Sequence, residues 1–359
     1  MISSGGIRID LASIEQHLED NGHDGCNIEF VPASAIAEDQ EADTLDAVGE
    51  ALGTANADDG SGCTMFGQMP SLTLDGVGLS LKSYWGPDSL TGWLRAFAQA
   101  LEQRGFTGRL TATRLVRPPR WLWRDHTPRA GAFIALDHPL TDPDDATRWC
   151  AEAVDWARHG GDLPLLYAGS VLQLDTSRQV PQHLARTLRT AGHGILTYLD
   201  PVAPRAAQVR VQQDGMAVFQ TYDRAAPTGV LVARARDAIA ANAARARFAF
   251  LTMTPMWSYG WEQTSRQPPA IAAHELRHNH PVWERRIPDV HALQLLTRTH
   301  LDQLDDLTGW TVTEVHSGRY LVEADDLAAW CSPGGPSENL LASAREAFAA
   351  VLATSEDLQ

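Results

Sequence analysis

The sequence is poor in lysine and in the features that mark exported or membrane-bound proteins. Lys82 is the only lysine, and 45 acidic residues stand against 29 basic ones, which leaves a formal net charge of −16. Because nucleic acids and anionic membranes attract lysine and arginine, we expect neither as a partner. The chain has no apolar run of about 18 residues and no signal-peptide pattern. We therefore expect a cytoplasmic protein.

Most motifs that mark an enzyme or a metal site are also absent. The four cysteines are scattered, and no two of them form a C-x-x-C pair. The sequence has no G-x-S-x-G nucleophile elbow, no G-x-x-x-x-G-K-[ST] phosphate loop and no G-x-G-x-x-G dinucleotide fingerprint. These absences favour a function other than catalysis.

Two segments predict the same order of elements, a β-hairpin followed by a helix and a strand. The first covers residues 71–116 and turns at Asp75–Gly76, and the second covers residues 207–251 and turns at Asp214–Gly215. Alternating apolar residues around an Asp-Gly pair are a strong signal for a hairpin with a type I′ turn. Because tight hairpins dominate, we predict an α+β fold with largely antiparallel sheets, built from two hairpin–helix–strand modules and flanking helices.

We divide the chain into three regions on this basis. Residues 1–66 would hold an N-terminal helix and an acidic, flexible linker, residues 67–200 a first α+β module, and residues 201–359 a second one. The segment 38–62 is rich in acidic residues and has few large apolar side chains, which predicts an exposed linker or a weak helix. We expect the ordered part of the fold to begin near residue 71.

One short motif could support zinc chemistry. His274 and His278 are four residues apart, so on a helix their imidazoles would share one face and could bind a zinc ion, with Glu275 as the general base. Arg277 weakens this interpretation because it places a cation beside the second ligand. The alternative is a helix end whose histidines are solvated or act as caps. No pattern selects the third ligand, for which the candidates are His280, Glu284, His291 and Glu314.

An aromatic cluster follows the second module. Trp257, Tyr259 and Trp261 are candidate binding residues, because tryptophan and tyrosine are enriched at interaction hot spots. Core packing is the alternative for these side chains.

Three local stretches resemble bacterial immunity proteins that neutralise antibacterial toxins, including those paired with type VI secretion effectors. The stretches lie at residues 131–174, which include Ala135-Leu136-Asp137-His138-Pro139-Leu140, at residues 280–296, from His280-Pro281-Val282-Trp283 through Ile287-Pro288-Asp289-Val290, and at Tyr320-Leu321-Val322-Glu323-Ala324. The resemblance implies a toxin as protein partner, no metal, and a short helix near Thr299–Leu304.

The leading hypothesis is therefore a non-enzymatic protein-binding protein of the immunity type, which needs no cofactor. The alternative is a zinc-dependent metallohydrolase or peptidase in which Glu275 acts on water bound by the zinc that His274 and His278 hold.

Overall fold

A computed structural model describes residues 2–20, 26–58, 70–73, 75–81, 87–113, 119, 121–122, 129–168, 170–174, 179–254, 281–332 and 335–358. The chain forms two compact units. One comprises Met1–Arg117 and Leu166–Gln173, and the other comprises Pro118–Leu165 and Leu174–Gln359. The sequence predicts boundaries at residues 66 and 200, which differ from the boundaries of these two units. The three predicted regions stay a prediction.

The first sheet has six strands in the order β1-β2-β6-β3-β5-β4. Its strand pairs are antiparallel except for β2 and β6, which run parallel. The strands and the helices interspersed with them along the chain are β1 (Ile2–Ser4), β2 (Ile7–Ile9), α1 (Leu11–Asp20), β3 (Cys26–Pro32), α2 (Glu41–Asp58), β4 (Ser71–Leu72), β5 (Val77–Leu81), α3 (Pro87–Gln103) and β6 (Gly108–Thr113).

Order begins well before residue 71, and this corrects the sequence-based expectation. Strand β3 lies between β5 and β6, so the N-terminal segment supplies an inner strand of the sheet. Of the two alternatives predicted for residues 38–62, an exposed linker or a helix, the structure has a helix over residues 41–58, the 18-residue α2. Val48, Ala51 and Ala55 recur at helical spacing and are fully buried. Helix α2 packs against α3.

The first predicted hairpin is present, but its glycine has a different role from the one expected. Strands β4 and β5 pair antiparallel around Asp75 and Gly76. Gly76 is not among the glycines with positive φ. A Cβ atom at Gly76 would lie 2.0 Å from the carbonyl oxygen of Phe30, so glycine is required because the backbone of β3 passes so close.

The second sheet has ten strands in the order β15-β16-β14-β13-β7-β12-β11-β10-β8-β9. The strands are β7 (Arg129–Leu136), β8 (Leu163–Ala168), β9 (Ser170–Gln173), β10 (His193–Leu199), β11 (Arg205–Gln212), β12 (Met216–Asp223), β13 (Ala246–Thr254), β14 (Leu293–Thr297), β15 (Trp310–His316) and β16 (Arg319–Ala324). The helices that accompany them are α4 (Pro143–Ala157), α5 (Val180–Ala191), α6 (Thr228–Asn242), α7 (Arg298–Leu301), α8 (Leu327–Trp330) and α9 (Glu338–Ala347).

The predicted second module lies at the centre of this sheet. The hairpin β11–β12, the helix α6 and the strand β13 follow in the predicted order. At the turn, Gly215 has φ +98°, which glycine adopts without strain. Together with the antiparallel pairing, these elements confirm the predicted α+β class.

Helices cover one face of the sheet, and the C-terminal segment covers part of the other. On the helical face, the Trp149 indole of α4 packs edge-on against Phe219 and donates a hydrogen bond of 2.9 Å to Asn242 of α6. On the opposite face, Trp283 packs against Phe248 and is fully buried. Burial of such aromatic side chains contributes about 1.5–3 kcal/mol each. Among the described helices, none is long and apolar enough to cross a membrane.

Candidate functional site

The residues of the zinc motif and of the aromatic cluster lie outside the described part of the chain. His274, Glu275 and His278 fall within residues 255–280, and so do Trp257, Tyr259 and Trp261. The zinc motif and the aromatic cluster therefore stay predictions.

Three of the four candidate third ligands are described. Glu284 is exposed, and Glu314 accepts a hydrogen bond of 3.1 Å from the backbone N–H of Gly318. The His291 ring stacks on Phe250 with their centroids 3.8 Å apart. In the described ranges, no three His, Cys, Asp or Glu side chains form a group that could hold a metal ion.

Strand β15 lies at one of the two edges of the ten-stranded sheet. It pairs with β16 on one side, and no described strand pairs with its other side. Most of its residues are exposed on both faces, and Val312 is 39% exposed. An edge of this kind presents unpaired N–H and C=O groups that can accept a strand from another chain. We call Trp310–His316 the edge strand.

Exposed acidic side chains lie on the edge strand and on the segments that flank it in sequence. Thr311 donates a hydrogen bond of 2.8 Å from its hydroxyl to Asp325, which joins one of these carboxylates directly to the strand. Two hydrogen bonds from Thr308 lower the pKa of Asp306, so this carboxylate stays ionised at neutral pH. The exposed acidic residues on the strand and its two flanking segments are Asp302, Asp305, Asp306, Glu314, Asp325 and Asp326.

The edge strand is firmly anchored to the rest of its unit. The Trp310 ring packs edge-on against Phe348 at 4.9 Å and against Trp330 at 5.6 Å between centroids. Glu323 of β16 forms an ion pair with Arg236 of α6. These contacts hold the strand in place while its outer edge is exposed.

A polar cleft lies at one end of the same sheet, beside the turn between β15 and β16. Leu136 at the end of β7 pairs with Ala246 at the start of β13, and Thr297 at the end of β14 pairs with Arg319 at the start of β16. These strand ends therefore lie at the same end of the sheet. The cleft has a volume of about 460 Å³. Its lining residues are Asp137, His138, Arg247, Glu284, Thr297, Arg298, Thr299, Gly318 and Arg319. We call it the arginine cleft.

Asp137 is the central carboxylate of the arginine cleft. An Nη atom of Arg319 lies 3.2 Å from its carboxylate, and the Nε atom of Arg247 lies 4.0 Å away. Arg247 also donates a hydrogen bond of 3.2 Å to the carbonyl oxygen of Asp137. Burial nevertheless raises the pKa of Asp137, and the two guanidinium groups oppose this shift only in part.

Arg298 differs from the other two arginines of the cleft. Its guanidinium lies over the Tyr320 ring, 4.7 Å from the centroid, and donates a hydrogen bond to the Tyr320 hydroxyl. Within the described ranges, it forms no ion pair with a carboxylate. The tyrosine therefore orients a guanidinium whose charge no carboxylate of the described residues neutralises by direct contact.

Comparison with known proteins gave no match. No protein-family model, no curated protein and no solved structure matches this chain.

One threonine–histidine pair beside the cleft has a structural role. The Nδ1 atom of His300 accepts a hydrogen bond of 3.0 Å from the backbone N–H of Thr297, and its Nε2 atom lies 3.2 Å from the carbonyl oxygen of Arg286. Thr297 and His300 thus form a capping box at the start of α7. Burial lowers the pKa of His300 to about 4, which makes the ring a weak base at neutral pH.

The cysteine in the small pocket around His291 is not an activated nucleophile. Its volume is only about 50 Å³, and its lining includes His291 and Cys331. Burial raises the pKa of the Cys331 thiol to about 11, so the thiol is protonated at neutral pH. A reactive cysteine would need the opposite shift.

The sequence did not single out the arginine cleft or the acidic edge as sites. The signal for the cleft is a charged residue at or next to the end of each of four strands, at positions 137, 247, 298 and 319. These positions converge only once the order of the strands and their register are known.

Proposed function

We propose that the protein is a non-enzymatic, cytoplasmic binding protein of the immunity type, and that it neutralises a basic protein toxin by accepting one of its strands at the edge strand. The open edge of β15 among acidic side chains is the observation that carries this proposal. Strand addition would supply backbone hydrogen bonds, and the exposed side chains of β15 would select the partner.

Charge supports a basic partner. The exposed acidic residues around the edge strand add to the net charge of −16, so that a lysine- or arginine-rich surface is attracted at long range. The only arginine within residues 301–326 is Arg319, which is paired with Asp137. Association with a basic partner should therefore slow as the salt concentration rises.

The function is tested by growth of bacteria that produce candidate toxins. Each protein encoded beside this gene in its source genome is produced in a bacterial host, with and without this protein. We expect one of them to stop growth alone and co-production of this protein to restore it, because the bound toxin would be occluded. If no neighbouring gene product is toxic, or if growth is not restored, the immunity function is refuted.

A further inference from the structure

We propose that the arginine cleft binds the phosphate group of a small organic molecule. The cleft brings Arg247, Arg298 and Arg319 together from three separate strand ends. A guanidinium presents a planar fork of N–H donors that matches the oxygens of phosphate, and several such groups around one cleft are typical of phosphate recognition. This proposal is independent of partner binding at the edge strand.

The charge balance of the cleft favours an anion. The three guanidinium groups face two carboxylates, those of Asp137 and Glu284, so the lining is positive in a chain whose net charge is −16. Asp137 already contacts Arg247 and Arg319. Arg298 supplies the excess positive charge, and its contact with Tyr320 fixes its guanidinium before any ligand arrives. A preoriented donor loses less entropy on binding.

The size and the other donors of the cleft indicate a phosphate ester over a carboxylate. A phosphate monoester carries a charge of about −1.5 to −2 and three terminal oxygens, whereas a carboxylate carries a single charge and two oxygens. Thr299 adds a hydroxyl to the lining, and His138 adds an imidazole. The volume of about 460 Å³ exceeds that of one phosphate ion and falls in the range of small-molecule sites, which leaves room for an organic group.

Isothermal titration calorimetry of the full-length protein with glycerol phosphate tests this proposal. The ionic strength is held constant, and inorganic phosphate and acetate are titrated in parallel. We expect saturable binding of glycerol phosphate at one site per chain, weaker binding of inorganic phosphate, and weaker binding still of acetate. Equal affinity for acetate, or binding of inorganic phosphate but not of glycerol phosphate, would overturn the proposed ligand class.

Two variants and a matched control place the ligand in the cleft. Arg298→Gln should weaken binding by about tenfold or more, because a charge-assisted hydrogen bond is lost from an exposed side chain. Asp137→Asn should strengthen binding, because a negative charge is removed beside the ligand. The control is Arg148→Gln, which removes an exposed arginine of α4 that is paired with Asp145. If Arg298→Gln binds as tightly as the control, the ligand does not occupy the arginine cleft and the proposal fails.

Discussion

The free energy of unfolding is expected to fall steeply between about pH 6.5 and pH 4, because two histidines are buried in their neutral form. Burial lowers the pKa of His291 and that of His300 from 6.5 to about 4 each. Between these values, the unfolded chain binds two protons that the folded chain does not. The stability contributed by the two neutral histidines is therefore fully present above about pH 6.5 and is lost as the pH falls toward 4.

The magnitude follows from the size of the shifts. A pKa lowered from 6.5 to about 4 corresponds to at most about 3.5 kcal/mol for each histidine over this interval. The charges that face the two rings are those of Asp289 and Arg345 beside His291, and those of Arg286 and Arg319 near His300. Desolvation is the largest cause of both shifts and exceeds the effect of these charges.

Urea unfolding at a series of pH values measures this loss. In His291→Phe, an aromatic ring remains to stack on Phe250 but cannot be protonated, so the slope of stability against pH should fall by about 1.4 kcal/mol per pH unit. The control is His193→Gln, which removes an exposed histidine and should keep the wild-type slope. A slope that is the same in all three proteins would contradict the buried, neutral state of His291.

Loss of Arg345 is expected to destabilise the protein by about 3–5 kcal/mol. Asp289 has only 3% of its side chain exposed, and Arg345 contacts both carboxylate oxygens, at 2.9 Å and 2.6 Å. In Arg345→Met, the apolar part of the side chain is kept but a buried carboxylate loses its bidentate partner. Such a charge is costly because the interior solvates it poorly.

Equilibrium unfolding at neutral pH checks this expectation against an exposed pair. Arg148→Met removes an arginine that forms a similar ion pair with Asp145 at the surface, at 2.8 Å, and should change stability little. The double variant Asp289→Leu/Arg345→Met should recover part of the stability, because the buried carboxylate is removed together with the guanidinium. If the Arg345 and Arg148 variants lose the same free energy, the buried ion pair does not have the role assigned to it.

The part of the fold that could be predicted from the sequence is the part with local signals. Alternating apolar residues around Asp75–Gly76 and Asp214–Gly215 indicate both hairpin–helix–strand modules. In each hairpin, the two paired strands are separated by only a few residues. Strand β2 has only three residues and pairs with β6, about a hundred residues later. A strand this short has too few residues to show the alternation of apolar and polar side chains, and its partner strand is distant in sequence.

The buried face of α2 was missed for a related reason. Its core contacts are made mainly by Val48 and by the small side chains of Ala51 and Ala55. Alanine contributes little to an apolar pattern, so the acidic residues between these positions dominated the prediction. The cleft was missed because its residues share no local motif, and only strand register brings Asp137, Arg298 and Arg319 together.

The affinity for a cognate toxin, measured with and without a blocked edge strand, tests the central claim most directly. Val312→Lys/Thr313→Lys adds two cations to exposed positions of β15, where they should repel a basic strand and obstruct its addition. The matched control is Val202→Lys/Val230→Lys, which adds the same charge at positions that are 90% and 49% exposed. The toxin is the neighbouring gene product that passes the growth test.

Calorimetry of each variant with that toxin should give a clear difference. We predict that the β15 variant loses at least about tenfold in affinity while the control stays within about twofold of the wild-type protein. Equal affinity of the two double variants would show that the toxin binds elsewhere, and the edge strand would then have no part in its neutralisation.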